Sequence, residues 1–261
     1  MNKLSIQHCS KLALKTGRII LESGGATNRV ELMMKKICIS LGYPDCESFV
    51  TPTGIFLSLS DGESELSTSI KRIGQRRIDL GKITEISRVV NCLETDSCPK
   101  NSHNKSEYLE GELNRIDTQK PYPMWVNNVC GAATSGFFCL LFGGSWSEFG
   151  VALIVGFLVA TSLKYISKLP INGFLLNALA AMLIVLIAKT IDIWVPFIRL
   201  DVIIIGGIMI LVPGLQIVNA IRDTMSGDLV AGTARGVEAI IMTVGIVAGS
   251  GAMLKIWELW S

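Results

Sequence analysis

Several polar residues that could bind a small solute lie close together in the otherwise apolar C-terminal part of the chain. They are Asn219, Arg222, Asp223, Asp228, Arg235 and Glu238, with Asp201 further upstream. An arginine fork holds a carboxylate with two hydrogen bonds, and a carboxylate can carry a proton or bind an ammonium group. Each such charge costs about 2.5–3.5 kcal/mol at the centre of a bilayer. The pattern predicts a solute and proton pathway. The alternative is a solvated loop with charged ends at the interface, which fits Glu238 and Asn219 least well.

A helix break precedes these residues. Pro213 and Gly214 interrupt the apolar run LVPGLQIVNAIRD. Proline removes one backbone donor and crowds the preceding turn, and carbonyls freed inside a membrane must be buried in protein or face a wet cavity. Broken helices of this kind form binding sites in transporters. The sequence therefore predicts such a site, and a packing kink is the alternative.

Charge is distributed unevenly along the chain. Residues 1–123 hold 32 charged side chains, whereas residues 124–261 hold 14. This division predicts a soluble N-terminal domain at 1–123 and a membrane domain at 124–261. The net charge is only +2, and no basic patch indicates binding to nucleic acid.

The soluble part alternates between helical and strand periodicity. Helices are predicted over the first 23 residues and at 27–41, 78–95 and 106–118, and strands at 55–60 and 66–70. Asp61-Gly62 is expected to turn between the strands, and Thr27 or Asn28, with Glu31, is expected to form a capping box on the second helix. The predicted fold class here is a small α+β domain.

The first helix is amphipathic. Its polar stripe consists of Lys11, Lys15, Arg18 and Glu22, at steps of four, three and four residues along one helix face. The opposite side carries Ile6, Cys9, Ala13, Gly17 and Ile20. This pattern is typical of a helix packed on a soluble core, and a membrane-surface helix is the alternative.

Catalytic motifs are not evident in the soluble part. Ser48, Thr51, Thr53 and His103 could be drawn as a hydrolase site, but no GxSxG elbow surrounds any serine. Gly24-Gly25 does not belong to a nucleotide-binding loop. The seven cysteines show no CxxC spacing, which predicts reduced thiols. We therefore expect a scaffold, gate or docking module that is not an enzyme and has no metal or cofactor.

Five stretches of the second part are long and apolar enough to span a bilayer. They lie at about 124–142, 147–164, 172–189, 197–221 and 233–254. With the N-terminus inside, seven lysines and arginines flank the inner ends of the spans and three flank the outer ends. The positive-inside rule then predicts a cytoplasmic N-terminal domain and an external C-terminus. Small residues at four-residue spacing, Ala132/Gly136, Gly232/Gly236 and Gly245/Gly249, predict helices that pack closely on one another.

Motifs throughout the chain resemble those of the threonine/serine exporter family, ThrE. They are SGG…RVE (23–31), TPTGIFLSL (51–59), RIDLGK (77–82), LFGG (141–144), DVIIIGGIM (201–209), LVPG…NAIRD (211–223) and GDLVAG.AR..EA (227–239). The chain is similar to the YjjP-like half of the split form of the family. Fused members carry a second membrane domain, which in split members is a small YjjB-like membrane protein.

The resemblance implies a multi-pass subunit in the bacterial inner membrane, with a YjjB-like protein as its partner. The assembly would be a hetero- or homo-oligomer. The substrates would be threonine and serine for fused members, and succinate and related dicarboxylates for split members. No nucleotide motif is present, so the proton-motive force would drive export. Arg222 or Arg235 would meet a substrate carboxylate, and Asp223, Asp228 or Glu238 would carry a proton or bind an ammonium group. A membrane-anchored hydrolase and a non-transporting regulatory subunit are the alternatives.

Overall fold

The computed structural model describes residues 5–60, 66–74, 77–95, 105–195 and 198–260. Two compact units divide the chain. The first unit comprises Met1–Pro121 together with Leu215–Gly236, and the second comprises Tyr122–Gly214 together with Val237–Ser261. A short segment from the C-terminal half therefore packs as part of the N-terminal unit. Asp61-Gly62 and His103 lie outside the described residues.

The first unit mixes helices with a small sheet. Its elements are α1 (Ile6–Glu22), α2 (Thr27–Ser40), β1 (Cys46–Thr51), β2 (Gly54–Ser60), β3 (Leu66–Arg72), α3 (Leu80–Glu94), α4 (Lys105–Asp117), α9 (Gly214–Met225) and the beginning of α10 (Leu229–Trp260). The predicted helices and the two predicted strands are all present. Strand β1 was not predicted, because CESFVT has only two apolar side chains besides its cysteine.

The sheet is antiparallel, in the order β1-β2-β3. Ile55, Leu57 and Leu59 of β2 are buried, and they join the side chains of α1 and α2 in one hydrophobic core. Phe49, Phe56 and Ile70 lie opposite one another on the other face, where they are exposed. The alternation follows from the two-residue repeat of a strand.

Two local expectations are wrong. The helical periodicity of 78–95 puts Leu80 on the same apolar face as Ile83 and Ile86, but Leu80 is 58% exposed at the first position of α3. Ala26, not Thr27 or Asn28, is the N-cap of α2, and it makes no side-chain cap hydrogen bond. The Glu31 carboxylate instead accepts a hydrogen bond from the Val50 backbone N–H, at 3.0 Å. Tertiary pairing with β1 has replaced the local capping box.

The second unit is helical. It contains α5 (Met124–Leu141), α6 (Trp146–Ile166), α7 (Gly173–Trp194), α8 (Leu200–Ile208) and α10 from Val237 onward. Within the described residues, α5, α6, α7 and α10 are the four helices long and apolar enough to cross a membrane. The segment predicted as the fourth of five spans is divided, because α8 ends at Ile208 and α9 begins at Gly214. The break expected at Pro213-Gly214 is therefore present.

Small residues allow close helix packing in the second unit, as predicted for Gly136, Gly245 and Gly249, whereas a Cβ at Gly236 would meet nothing within 4 Å. A Cβ added at Gly156 would lie 2.6 Å from the Cβ of Ser135 on α5, and one at Gly245 would lie 2.6 Å from the Phe174 carbonyl of α7. A Cβ at Gly249 would collide with the Ala178 carbonyl. Contacts this short are reached only without a side chain, so these glycines bring the backbones together.

The cysteines depart in one case from the expectation of reduced thiols. Cys9, Cys38, Cys46 and Cys139 are free and buried, and Cys130 is free and exposed. Cys92, however, is disulfide-bonded. Within the described residues, no group of three or more His, Cys, Asp or Glu side chains could hold a metal ion.

Candidate functional site

The connection between α1 and α2 is held by side chains of α9 and α10. Asn219 Nδ2 donates to the Gly24 carbonyl at 2.9 Å, and the Thr27 backbone N–H donates to Asp223 Oδ1 at 3.3 Å. A guanidinium nitrogen of Arg235 donates to the Gly25 carbonyl at 2.7 Å. We call the residues that make these contacts, Gly24, Gly25, Thr27, Asn219, Asp223 and Arg235, the turn cluster.

An ion pair lies at the centre of the turn cluster. Arg235 Nε is 3.1 Å from Asp223 Oδ2, and the side chains of Arg235 and Asp223 are 4% and 0% exposed. Because water is excluded, each charge depends on the other and on the backbone groups of the α1–α2 connection for its stabilisation. A movement of that connection would therefore change the stability of the ion pair, which joins α9 to α10.

The glycines of the connection are required by its geometry. Gly24 has a φ of +90°, in the left-handed region that favours glycine. A Cβ at Gly25 would collide with the Ile20 side chain. This sharp exit from α1 presents two successive carbonyls, those of Gly24 and Gly25, to Asn219 and Arg235.

Glu31 on α2 adds a second carboxylate at this place. Burial raises the pKa of the Glu31 carboxyl above its ordinary value, the Val50 N–H lowers it in part, and the negative charges of Asp228 and Asp223 raise it further. A carboxyl group shifted upward in this way can gain or lose a proton nearer to neutral pH than an exposed glutamate can. Glu31 is therefore a candidate proton acceptor.

The remaining predicted site residues lie in different settings. Asp228 is the cap of α10, since its carboxylate accepts from the Ala231 N–H at 3.2 Å. Arg222 is exposed and makes no ion pair among the described residues. Asp201 pairs with Arg199 at 3.4 Å in the second unit, to which half-buried Glu238 also belongs.

The structure thus brings together three of the predicted residues, Asn219, Asp223 and Arg235, with Asp228 nearby. It does not join Asp201 to them. Pro213 is buried between α8 and α9, and Gly214 begins α9. Glu31 and the α1–α2 connection were not predicted as part of the site, although both lie in the SGG…RVE motif.

The second unit holds a polar site that sequence reasoning also missed. Glu148 is only 4% exposed and forms a capping box with Ser145 at the start of α6. Its other oxygen accepts from the Arg199 N–H at 2.6 Å, and the Arg199 side chain donates to the Gly143 carbonyl at 3.2 Å. The S-x-x-E spacing at 145–148 is a capping signal that could have identified it.

The four long apolar helices and the α+β unit define a multi-pass membrane protein. The family model for threonine/serine exporters, ThrE, matches residues 11–257. The chain belongs to the threonine/serine exporter family. Its family and its named relatives are transporters and exporters, not enzymes. No solved structure matches the chain.

Curated relatives fall into two groups by length. The "Probable succinate transporter subunit YjjP" of Escherichia coli is 25% identical over 96% of this chain and 95% of its own length. The "Threonine/serine exporter" of Corynebacterium glutamicum is 23% identical over 95% of this chain but 51% of its own length. The "Probable threonine/serine exporter" of Mycobacterium tuberculosis is 21% identical over 91% of this chain and 44% of its own length.

Proposed function

We propose that this chain is the YjjP-like subunit of a two-component secondary transporter that exports small polar metabolites. The observation that carries the proposal is the alignment over nearly the full length of a relative named as a subunit, against about half of the relative named as an exporter. The other component would be a YjjB-like membrane protein. Dicarboxylates such as succinate are the first substrate class to test, followed by threonine and serine.

The proposed topology has five crossings in the bacterial inner membrane. Leu215–Gly236 belongs to the same compact unit as Met1–Pro121. If α5, α6 and α7 each cross, the chain must cross back before Leu215, so α8 with residues 209–213 would form that crossing. Helix α10 then crosses last. With the first unit in the cytoplasm, the C-terminus is external.

The turn cluster suggests how a proton could couple to transport. Asp223 and Asp228 act electrostatically on Glu31, and Asp223 forms the ion pair with Arg235. Proton uptake at Glu31 would relieve the repulsion among the three carboxylates, and the Asp223–Arg235 pair would pass the change to α9 and α10. In this scheme Arg222, being exposed, is available to a substrate carboxylate, while Asn219 holds the α1–α2 connection in place.

Reconstitution tests the proposal. Proteoliposomes that contain the chain and a YjjB-like protein, loaded with labelled succinate, threonine or serine, should release one of them in response to an imposed proton gradient. Vesicles with either protein alone, and vesicles with both but with the gradient collapsed, are the controls. Equal flux from this chain alone would refute the two-component proposal, and no flux of any of the three would refute export of these substrates.

A regulatory subunit is the second candidate. The burial of Asp223 and Arg235 against backbone carbonyls favours it, because a solute cannot reach either charge in this conformation. In that case the YjjB-like protein alone would transport, and adding this chain would change only the rate.

A further inference from the structure

A groove on the first unit collects positive charge. It lies between α1 and β3, has a volume of about 520 Å³, and is lined by ten residues, none of them acidic. Four of the lining side chains are cations: Lys11, Lys15, Arg18 and Lys71. The groove is separate from the turn cluster, with which it shares no residue. Lys11, Lys15 and Arg18 belong to the polar stripe of α1 that was predicted from the sequence.

The cations differ in how far their charge is already neutralised. Arg18 forms ion pairs with Asp117 at 2.5 Å and with Glu22 at 3.2 Å. Lys15 donates to the Asn114 side-chain oxygen, which is uncharged. Lys11 and Lys71 are exposed, and no ion pair involves either of them among the described residues. Net positive charge therefore remains on both walls of the groove.

The walls are joined and the middle of the groove is partly apolar. Ser10 Oγ donates to Ser69 Oγ across the two walls at 3.0 Å, and Ser10 is buried. Leu14 is the apolar side chain with which α1 lines the groove, whereas Ile70 occupies a β3 position that faces the other side of the sheet. From Gln7 to Arg18 the helix wall extends for about 16 Å, so its charges are spread along the groove rather than concentrated at one point.

We propose that this groove binds small organic dicarboxylates. Two carboxylates joined by a short hydrocarbon match cations on opposite walls beside the apolar Leu14 side chain, and hydroxyl groups can complete the hydrogen bonds. A zwitterionic amino acid would leave its ammonium group among four cations with no acidic lining residue to receive it. A single phosphate concentrates its charge and makes no use of Leu14. The inference deepens the proposed function, on which it rests for the choice of succinate as the probe.

Calorimetric titration of the purified full-length chain in detergent tests the proposal directly. Succinate should bind, and threonine and inorganic phosphate should bind at least about tenfold more weakly. The double variant Lys11→Gln/Lys71→Gln should lose about tenfold in affinity, as expected for the loss of charged hydrogen bonds. Lys35→Gln, which removes an exposed lysine of α2 outside the groove, should bind as the wild type does.

Three results would overturn the proposal: no binding of succinate, binding of threonine or phosphate as tight as that of succinate, or unchanged affinity in the double variant. If the double variant fails to fold, Lys71→Gln alone replaces it, because Lys71 is exposed on an edge strand. The titration measures binding and not flux. Export without succinate binding to the groove would therefore refute the inference about the groove but not the proposed function. Succinate binding without export would refute the proposed function but not the inference about the groove.

Discussion

At the scale of single residues, the Asp223–Arg235 pair is the feature whose energy is easiest to state. Both charges are shielded from water, so removing one leaves the other buried and uncompensated, at a cost of about 3–5 kcal/mol. Exposed pairs such as Lys255–Glu258, at 3.2 Å, are worth about 0–1 kcal/mol. The two pairs lie in the same C-terminal part of the chain and differ mainly in burial.

We therefore expect Asp223→Asn to lower the unfolding temperature of the detergent-purified chain markedly, and the double variant Asp223→Asn/Arg235→Gln to recover part of the loss. Glu258→Gln is the matched control and should have little effect. Thermal unfolding followed by circular dichroism measures all four proteins. Wild-type stability in Asp223→Asn would show that the pair is not buried in the folded chain.

Glu31 gives a pH-dependent prediction. Its pKa is raised in the folded chain, so the folded state holds the proton more tightly than the unfolded state does. This contribution to stability is fully present below the unfolded pKa of about 4.3 and is lost as the pH rises through the raised folded pKa. Glu31→Gln keeps an acceptor for the Val50 N–H but removes this dependence.

Unfolding midpoints between about pH 4 and pH 8 measure the effect, and the wild type should lose more stability over this interval than Glu31→Gln. Glu258→Gln, which removes an exposed carboxylate, should retain the wild-type slope. Parallel profiles for wild type and Glu31→Gln would contradict the assignment of a raised pKa to this residue.

At the scale of elements, the break between α8 and α9 is the feature with the clearest consequence. Pro213→Ala restores a backbone donor and removes the ring that blocks helix continuation. We expect efflux from reconstituted vesicles to fall while the amount of folded protein stays the same or rises. Pro170→Ala, in the exposed α6–α7 connection, is the control. Normal efflux in Pro213→Ala would mean that the break serves packing alone.

Elements with strong periodicity could be predicted from sequence, and the exceptions have physical reasons. Helices α1 and α3 show a clear apolar face, whereas β1 carries too few apolar residues to be recognised. The segment at 197–221 is apolar enough to be a membrane span, but its hydropathy does not show that the helix is interrupted at Pro213. Asn219 and Asp223, four apart, are both buried, whereas Arg222, three after Asn219, is exposed. Helical spacing alone does not distinguish these two cases.

The partners of the site could not be predicted in the same way. Asn219, Asp223 and Arg235 were chosen because they are polar residues in apolar surroundings. Their contacts are with Gly24, Gly25 and Thr27, about 200 positions earlier in the chain. Periodicity describes neighbours within one element, and nothing in it reports a pairing over that separation. Glu31 was noticed only as a capping residue for the same reason.

At the scale of the whole molecule, the five-crossing topology can be tested by fusion proteins. Alkaline phosphatase fused after Trp260 should be active, because the enzyme folds only outside the cytoplasm, and a fluorescent protein fused before Met1 should fluoresce. Phosphatase fused after Leu169, in the α6–α7 connection, should be inactive and serves as the control. Inactive phosphatase after Trp260 together with active phosphatase after Leu169 would show the opposite topology. An active fusion at Leu169 with the other two results unchanged would show that the number of crossings is wrong.

The discontinuity of the first unit also has a consequence for how the protein is made. Met1–Pro121 leaves the ribosome first, but Leu215–Gly236, which completes the unit, is synthesised after three apolar helices have already emerged. Until then the carbonyls of Gly24 and Gly25 lack their partners. Contacts over such separations form slowly, so the N-terminal segment must wait until Leu215–Gly236 has been synthesised. Closure of the turn cluster would then mark a correctly inserted chain, and chains that fail to insert would remain open to quality-control proteases.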